Sequence, residues 1–172
     1  MGSADPCQTV RSAADHIYHS DDINADGYDA MKISADGLEF IKQAEGCKLA
    51  AYKDSVGVLT IGVGHTKDVH GGMHITEAEA MALLEDDLQD VYRCIEAYVH
   101  VPLSQGQFDS LCSFIFNLGC GAFKGSTLLN LLNKGDYEGA AAQFKRWDHA
   151  GDVKLAGLTK RRLGEAEMFS EA

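Results

Sequence analysis

The sequence predicts an α+β fold, in which a small antiparallel β-sheet precedes a mostly helical lobe and a cleft lies between the two parts. Between Leu49 and His65, β-branched residues are interrupted by glycines, which is typical of short strands joined by tight turns. After Thr76, apolar residues recur at helical spacing along most of the chain. Two capping-box motifs start the longest of these apolar stripes, and so mark where the helical lobe begins.

The first part of the folded region is predicted to be one helix followed by the sheet. Leu38, Ile41 and Ala44 fall on one side of a helix over Ser34–Ala44, and Gly46 is a suitable stop. Beyond this helix the chain changes to a period of two, since side chains at 58 and 60 alternate with those at 59, 61 and 63. A small hairpin sheet is therefore expected directly after the first helix.

Helices are predicted for the rest of the chain. Thr76 with Glu79, and Ser104 with Gln107, have the spacing of capping boxes before long apolar stripes. The turn over 117–121 ends the second of these helices, and shorter helices are expected over 126–133, 136–147 and 159–169. One small sheet with this many helices is the basis for the α+β assignment.

The composition of the chain changes near residue 33, which predicts an N-terminal extension over 1–33 and one folded domain over 34–172. The extension contains a short helix signal at Asp5 and Pro6, followed by a polar, Asp-rich linker over 20–30. Residues 1–30 carry a net charge of −5 out of −11 for all 172 residues. The extension is thus expected to be an appendage to one domain.

Composition excludes several classes of protein. A net charge of −11 argues against a partner such as duplex nucleic acid. No apolar run approaches the roughly 18 residues of a membrane span, so membrane insertion is not expected, and no secretory signal is visible. The basic stretch over 145–162 could receive an anionic ligand or form a solvated helical face.

The five cysteines, at 7, 47, 94, 112 and 120, do not form any metal-binding motif. Their odd number and the absence of a Cys-x-x-Cys pair argue against a zinc site and against a full disulfide framework. Most are expected to be reduced core residues, while one disulfide of unassigned pairing remains possible.

Glu45, Asp54 and Thr60 lie beside the glycine-rich sheet and are candidates for chemistry. Cleavage of a glycosidic bond requires a proton donor and a second carboxylate that activates water or attacks the sugar. A helix end and a facing hairpin can place two carboxylates across a groove. From the residues alone, a carboxylate at a helix end or turn is more often a solvated charge, and the chain has 26 acidic residues.

The segment 45–66, EGCKLAAYKDSVGVLTIGVGHT, resembles the catalytic stretch of phage-type lysozymes, the endolysins of glycoside hydrolase family twenty-four. The matching features are Glu45, then Asp54 nine positions on, then Thr60, followed by Ile-Gly-x-Gly-His. Further similarity lies in FNLG at 116–119, STLL at 126–129, RW at 146–147 and GLTKRR at 157–162. The resemblance covers roughly residues 32–170 and implies a lysozyme-like fold.

The resemblance implies roles for individual residues. Glu45 would be the general acid, while Asp54 and Thr60 would hold the attacking water on the opposite face of the sugar, which inverts the anomeric carbon. Asn117, Trp147 and Arg162 would bind substrate, whereas His65 is interpreted as a structural residue beside the site. Two of these residues have other readings, since Asn117 could cap a helix and Trp147 could pack in the core.

Two possible metal sites are weak. His70 and His74 are separated by glycines and lack the glutamate of a zinc-protease motif. Asp22, Asn24 and Asp26 match the start of a calcium loop, but its closing position is Ile33, which cannot be a ligand. We therefore expect no metal, and an ordinary linker at 20–30.

The resemblance implies a muramidase that hydrolyses peptidoglycan glycan strands between N-acetylmuramic acid and N-acetylglucosamine. No cofactor is required for proton transfer and water attack. Such an enzyme acts in the bacterial periplasm, to which a holin, a secretion system or a lost segment would deliver it, and a monomer is expected. The alternatives are a lytic transglycosylase, a non-catalytic wall-binding module, and the lysozyme module of a larger effector or toxin; Asp54 and Thr60 together argue against the first, and an intact Glu45 against the second.

Overall fold

The computed structural model of the protein describes residues 30–171. The predicted helix and linker of the extension, and the loop with Asp22, Asn24 and Asp26, lie outside these residues. The long helices are α1 (Ala35–Glu45), α2 (Glu77–Tyr98), α3 (Gln105–Leu118) and α7 (Ala156–Ser170). The short helices are α4 (Cys120–Lys124), α5 (Thr127–Asn133), α6 (Tyr137–Ala141) and a 3₁₀ turn over Phe144–Trp147. The strands are β1 (Lys48–Lys53), β2 (Leu59–Gly62), β3 (His149–Ala150) and β4 (Val153–Lys154). An α+β architecture is thereby confirmed.

Side chains cap the helices where the sequence predicted. In α2 the Thr76 hydroxyl accepts a hydrogen bond from the backbone N–H of Glu79, whose carboxylate accepts one from the backbone of Thr76. Ser104 and Gln107 form the same reciprocal pair at the start of α3. Each pair satisfies two backbone N–H groups that a helix start would otherwise leave open, which fixes both starting points.

Helix α1 ends at the residue that carries the first candidate carboxylate. Gly46 takes φ of 77°, a conformation that costs glycine little, and its N–H donates to the Lys42 carbonyl. The chain therefore turns sharply after Glu45 and enters β1. Glu45 is left at the C-terminal end of α1, next to the sheet.

The main sheet pairs β1 and β2 antiparallel, with Tyr52 opposite Thr60 and a register irregularity earlier in β1. The other edge of β1 is also covered, because Ala51 donates to the Met73 carbonyl and Ile75 donates to the Leu49 carbonyl. Both edges of this short strand thus have backbone partners, which holds the hairpin in place.

The predicted helix over 136–147 is divided, because α6 ends at Ala141 and a separate 3₁₀ turn follows. A second hairpin, β3–β4, comes next and was not predicted. Its anchor is the buried Asp148, whose carboxylate accepts from the Thr159 hydroxyl at 3.0 Å and pairs with Lys154 at 3.0 Å. The last helix also begins earlier than the prediction at 159, one turn before the residue that bonds to this anchor.

Helix α3 runs through the centre of the core. Nine consecutive residues, 107–115, are buried, as expected of a helix that is covered on every side. The Phe114 ring makes edge contacts with Phe144 and Trp147, at centroid distances of 5.4 and 5.5 Å. Ile33, at the end of the predicted extension, also belongs to the core with 9% exposure.

One disulfide joins Cys94 on α2 to Cys120 on α4. This is the single bridge that the sequence left open. Cys47 and Cys112 are free, and burial raises the pKa of the Cys112 thiol. Among residues 30–171, no helix is both long and apolar enough to cross a bilayer.

Candidate active site

A groove of about 460 Å³ lies between the sheet side of the molecule and the helices, with Glu45 on its wall. Its other walls come from the turn after β2, from the middle of α2, and from the end of α3 with the start of α4. These lining residues are Gly64, Thr66, Lys67, Asp87, Asp90, Val91, Ile115, Phe116, Asn117, Gly119 and Cys120. The cleft expected between sheet and helical lobe is therefore present, and it holds one of the predicted carboxylates.

The Glu45 side chain is 26% exposed and contacts Arg161 of α7. Nη1 of Arg161 donates to Oε1 of Glu45 at 2.5 Å, a charge-assisted contact. The rest of the guanidinium is bound to α3, since Nη2 donates to the Ser113 carbonyl at 3.0 Å. A buried arginine anchored on the central helix thus orients the Glu45 carboxyl.

Asp54 and Thr60 lie on the β1–β2 hairpin and do not line this groove. Oδ1 of Asp54 accepts from the backbone N–H groups of Val56 and Val58 at 2.9 and 2.8 Å, so the carboxylate closes its own turn. Among the described residues, Oδ2 has no hydrogen-bond donor. Thr60 is 4% exposed, and its hydroxyl donates to the Val58 carbonyl at 3.1 Å.

His65 connects the sheet to α2. Its Nδ1 lies 2.9 and 3.0 Å from the two carboxylate oxygens of Asp87, a residue of the groove wall. Its backbone pairs with that of Ile61 in both directions at the turn after β2. These contacts agree with the structural interpretation of His65.

Asn117 lies in the last turn of α3 and lines the groove, whereas Gly119 forms the C-cap of that helix. Of the two interpretations from sequence, the structure therefore favours the cleft residue. The Asn117 side-chain oxygen accepts a hydrogen bond from Nη2 of Arg162.

Two of the residues predicted to bind substrate do not line the groove. Arg162 is fully buried, with 0% exposure, and its guanidinium reaches Asn117 and Glu165, so a direct contact with substrate is wrong. Half-buried Trp147 packs edge-on against Phe114 and does not line the groove. For Trp147, contact with substrate stays a prediction.

Sequence reasoning missed Arg161, Ser113 and Glu165 as parts of the site. Arg161 was read only as part of a basic face. The spacing Arg161-Arg162-x-x-Glu165 places both arginines within one helical turn of the glutamate, which is the signal that could have revealed them. In residues 30–171, no cluster of three or more potential metal-binding side chains is present.

The fold and the position of the groove identify the class of protein. A hairpin sheet beside a helical body, with a carboxylate from the first helix in the groove between them, is the arrangement of a lysozyme-like glycoside hydrolase. Solved structures agree, including a mutant of P22 lysozyme with 45% identity and a TM-score of 0.77, covering 81% of this chain and 98% of that one. The muramidase domain of SpmX from Asticaccaulis excentricus is 39% identical with a TM-score of 0.78, covering 82% of this chain and 99% of that one.

The family model for phage lysozyme matches residues 42–165. The endolysin of Acyrthosiphon pisum secondary endosymbiont phage 1 is 43% identical over 146 residues, which span 83% of this chain and 100% of that protein. The endolysin of Salmonella phage P22 is 46% identical over 145 residues, 81% of this chain and 99% of its own length. The chain belongs to the phage lysozyme family, and it is a glycoside hydrolase of the muramidase type.

Proposed function

We propose that this muramidase hydrolyses the β-1,4 bond between N-acetylmuramic acid and N-acetylglucosamine with inversion at the anomeric carbon. The observation that carries the proposal is the position of Glu45 on the groove wall, in contact with Arg161. No other carboxylate of the groove wall comes from the segment that resembles the catalytic stretch of the family. Glu45 is accordingly the proton donor to the leaving oxygen.

The contact between Glu45 and Arg161 stabilises the charge that a general acid carries after it has donated its proton. When the Glu45 carboxyl donates its proton, a carboxylate remains, and the guanidinium at 2.5 Å stabilises that new charge. Lys67, Asp87 and Asp90 are the other charged side chains on the wall, and Asp87 is already bound to His65. Arg161 is therefore the cation that acts on Glu45 most directly.

Asp54 and Thr60 supply the water side of the reaction in this proposal. Two backbone N–H groups fix Oδ1 of Asp54, which leaves Oδ2 to bind and activate a water molecule. Thr60 lies on the facing strand, with its hydroxyl close to the same turn. An inverting enzyme needs carboxyl groups about 6.5–9.5 Å apart, with room for that water between them.

The products of peptidoglycan digestion test the proposal. Purified, defined-source peptidoglycan is digested to an early time point, and the muropeptides are analysed by mass spectrometry. Hydrolysis gives reducing N-acetylmuramic acid ends, whereas a lytic transglycosylase gives 1,6-anhydro ends. A predominance of anhydro ends would contradict the water role of Asp54 and Thr60.

The stereochemistry is tested on the same material. Proton NMR during the first turnovers distinguishes the anomers before mutarotation mixes them. Inversion at a β-linkage gives the α-anomer first. Early β-anomer would mean retention, and Asp54 would then be a nucleophile rather than the residue that activates water.

The proposed setting is the bacterial cell wall on its periplasmic side, reached through a holin, a secretion system or a further segment. The proposed working form is a monomer. Sedimentation of the purified protein at micromolar concentration measures this directly. A stable dimer would contradict it.

A further inference from the structure

Three charged side chains of α7 lie out of solvent, below the groove. Arg161 is 7% exposed, and Arg162 and Glu165 are 0% exposed. Burial of an ionised group is costly unless opposite charges and hydrogen bonds compensate for it. The partners of these three groups therefore indicate what holds them in place.

One oxygen of Glu165 holds Arg161. Oε1 of Glu165 accepts from the Ser113 hydroxyl at 2.6 Å and from Nε of Arg161 at 3.3 Å. Nε of Arg161 also donates to the Ser113 hydroxyl at 3.2 Å, and Nη2 donates to the Ser113 carbonyl. With these positions fixed, Nη1 is left to face the Glu45 carboxyl.

The other oxygen of Glu165 pairs with Arg162. Oε2 lies 3.0 Å from Nη1 of Arg162, and Nη2 of the same guanidinium donates to Asn117 on the groove wall. The Arg162 guanidinium also lies over the Phe114 ring, 5.1 Å from its centre. Glu165 is thus linked through one arginine to the proton donor and through the other to a groove residue.

We propose that Glu165 is a buried positioning residue that holds both arginines. Its Oε1 holds Arg161 against Glu45, and its Oε2 holds Arg162 against Asn117. Its second effect is electrostatic: its charge offsets one of two adjacent guanidinium charges close to the general acid. This inference rests on the proposed role of Glu45 as proton donor.

The charges of this cluster balance. Glu45 and Glu165 face Arg161 and Arg162, while Ser113 and Asn117 of α3 contribute neutral polar groups. Burial is the largest influence on Glu165 and leaves its pKa raised, although the two guanidinium groups and the Ser113 hydroxyl act to lower it. Oε1 accepts hydrogen bonds from Ser113 and Arg161, whereas Oε2 makes no hydrogen bond and lies 3.0 Å from Nη1 of Arg162. A guanidinium group thus lies beside each oxygen, which favours the ionised form of the carboxyl.

Removal of the Glu165 charge should shift the pH dependence of activity in a predictable direction. The arginines would be left with one uncompensated positive charge beside Glu45, which favours the ionised form of that carboxyl. The general acid would then lose its proton at lower pH, and the alkaline limb of the pH profile would move in that direction. Removal of the Arg162 charge leaves a negative surplus and moves the limb to higher pH.

The experiment compares Glu165→Gln, Arg162→Met, the double variant and Phe169→Leu. Phe169 is a buried, uncharged core residue of the same helix that packs against Phe144, so it controls for lost stability. kcat/KM is measured from pH 4 to 9 on soluble, uncrosslinked glycan strands, at a temperature where each variant is folded by circular dichroism.

We expect Glu165→Gln to move the alkaline limb down by about one pH unit, the order of size for one charge in a site of effective dielectric near 20. Arg162→Met should move it up, and the double variant should return it close to wild type. Phe169→Leu should leave it unchanged. If Glu165→Gln alone does not fold, the double variant and Arg162→Met still differ only in Glu165, and the double variant should have the lower limb.

If the alkaline limb of the pH profile lay at the wild-type position in all four variants, the inference would be overturned, because a purely structural or a neutral Glu165 would not move it. The proposed role of Glu45 fails in a different way. If folded Glu45→Gln kept near-normal activity, there would be no general acid at Glu45 for these arginines to act on, whatever the limbs did.

Discussion

Glu45 is the side chain on which the proposed mechanism depends most directly. Glu45→Gln keeps the size and the hydrogen-bonding oxygen that faces Arg161 but removes the transferable proton. General acid catalysis is worth about 10²–10⁴-fold, so turnover of purified peptidoglycan should fall by at least that order with an unchanged circular dichroism spectrum. Glu39→Gln, on the exposed face of the same helix, is the matched control and should keep full activity. Comparable activity in both variants would remove Glu45 from the mechanism.

A second residue-scale prediction concerns Asp148 and acid stability. The hydrogen bond from Lys154, then the one from Thr159, lowers the pKa of this carboxyl in the folded protein. Its contribution to the free energy of unfolding is therefore present above the ordinary pKa of about 3.9 and is lost as pH falls below it. Asp148→Asn should have a lower Tm than wild type at pH 7, and the gap should narrow towards pH 3.

Asp152→Asn is the control for this prediction, because Asp152 lies in the same hairpin and is exposed. Its Tm should follow that of wild type at each pH. A gap between Asp148→Asn and wild type that stays constant down to pH 3 would mean that the carboxylate charge does not stabilise the hairpin.

At this scale the sequence indicated which side chains are candidates for the site better than it indicated what surrounds them. Glu45 follows from a local motif and from the glycine after it. Arg162 was expected to bind substrate because the resemblance placed it in the C-terminal segment of the family. Its burial depends on Glu165, Asn117 and Phe114, and their convergence is a tertiary fact that no local pattern contains.

At the scale of elements, the starts of α2 and α3 were predictable because a capping box is formed within four residues. Thr76 and Ser104 each bond to the backbone of their own helix, so sequence spacing alone determines them. The β3–β4 hairpin was not predictable in this way. Its strands have two residues each, too few for any periodicity, and the anchoring contact comes from Thr159 in the next helix.

The disulfide between α2 and α4 is the element-scale feature with the largest expected effect on stability. Cys94 and Cys120 are 26 positions apart, and closing a loop of that length in the unfolded chain is worth about 3–4 kcal/mol in the chain-entropy estimate. The Cys94→Ala/Cys120→Ala variant should therefore unfold at clearly lower urea concentration than wild type.

Cys47→Ala is the control for the disulfide, because Cys47 is free and only partly buried. Its urea midpoint should stay close to that of wild type. Reducing agent should lower the midpoint of wild type and leave that of the double variant unchanged. Equal midpoints for the double variant and wild type would show that the bridge adds nothing to the folded state.

For the whole molecule, the decisive quantity is the net charge of −11. The charges of Glu45, Glu165, Arg161 and Arg162 cancel, so this surplus belongs to the rest of the chain and acts on an anionic cell wall by repulsion. Raising ionic strength from 0.01 to 0.1 M shortens the screening length from about 30 to about 10 Å. The rate of wall lysis should therefore rise over this range, as turbidity measurements can show.

A variant that lacks residues 1–30 provides the internal comparison. These residues carry −5, so their removal leaves −6 and should weaken the dependence on salt. Catalysis on soluble glycan strands should persist, since the groove residues all come from positions 45–120. A lysis rate that falls with added salt in both proteins would mean that local basic surface, rather than net charge, governs the encounter with the wall.

The disulfide between Cys94 and Cys120 also makes the stability of the enzyme depend on the redox state of its compartment. Thiols are kept reduced in the cytosol, and disulfides form and persist in oxidising compartments. Cys120 is part of the groove wall, so a newly made chain in a reducing compartment has a wall tied only by non-covalent packing. Formation of the disulfide in an oxidising compartment would link this part of the groove wall covalently to α2. Resistance to proteolysis would then depend on the compartment in which the molecule resides rather than on any change in its sequence.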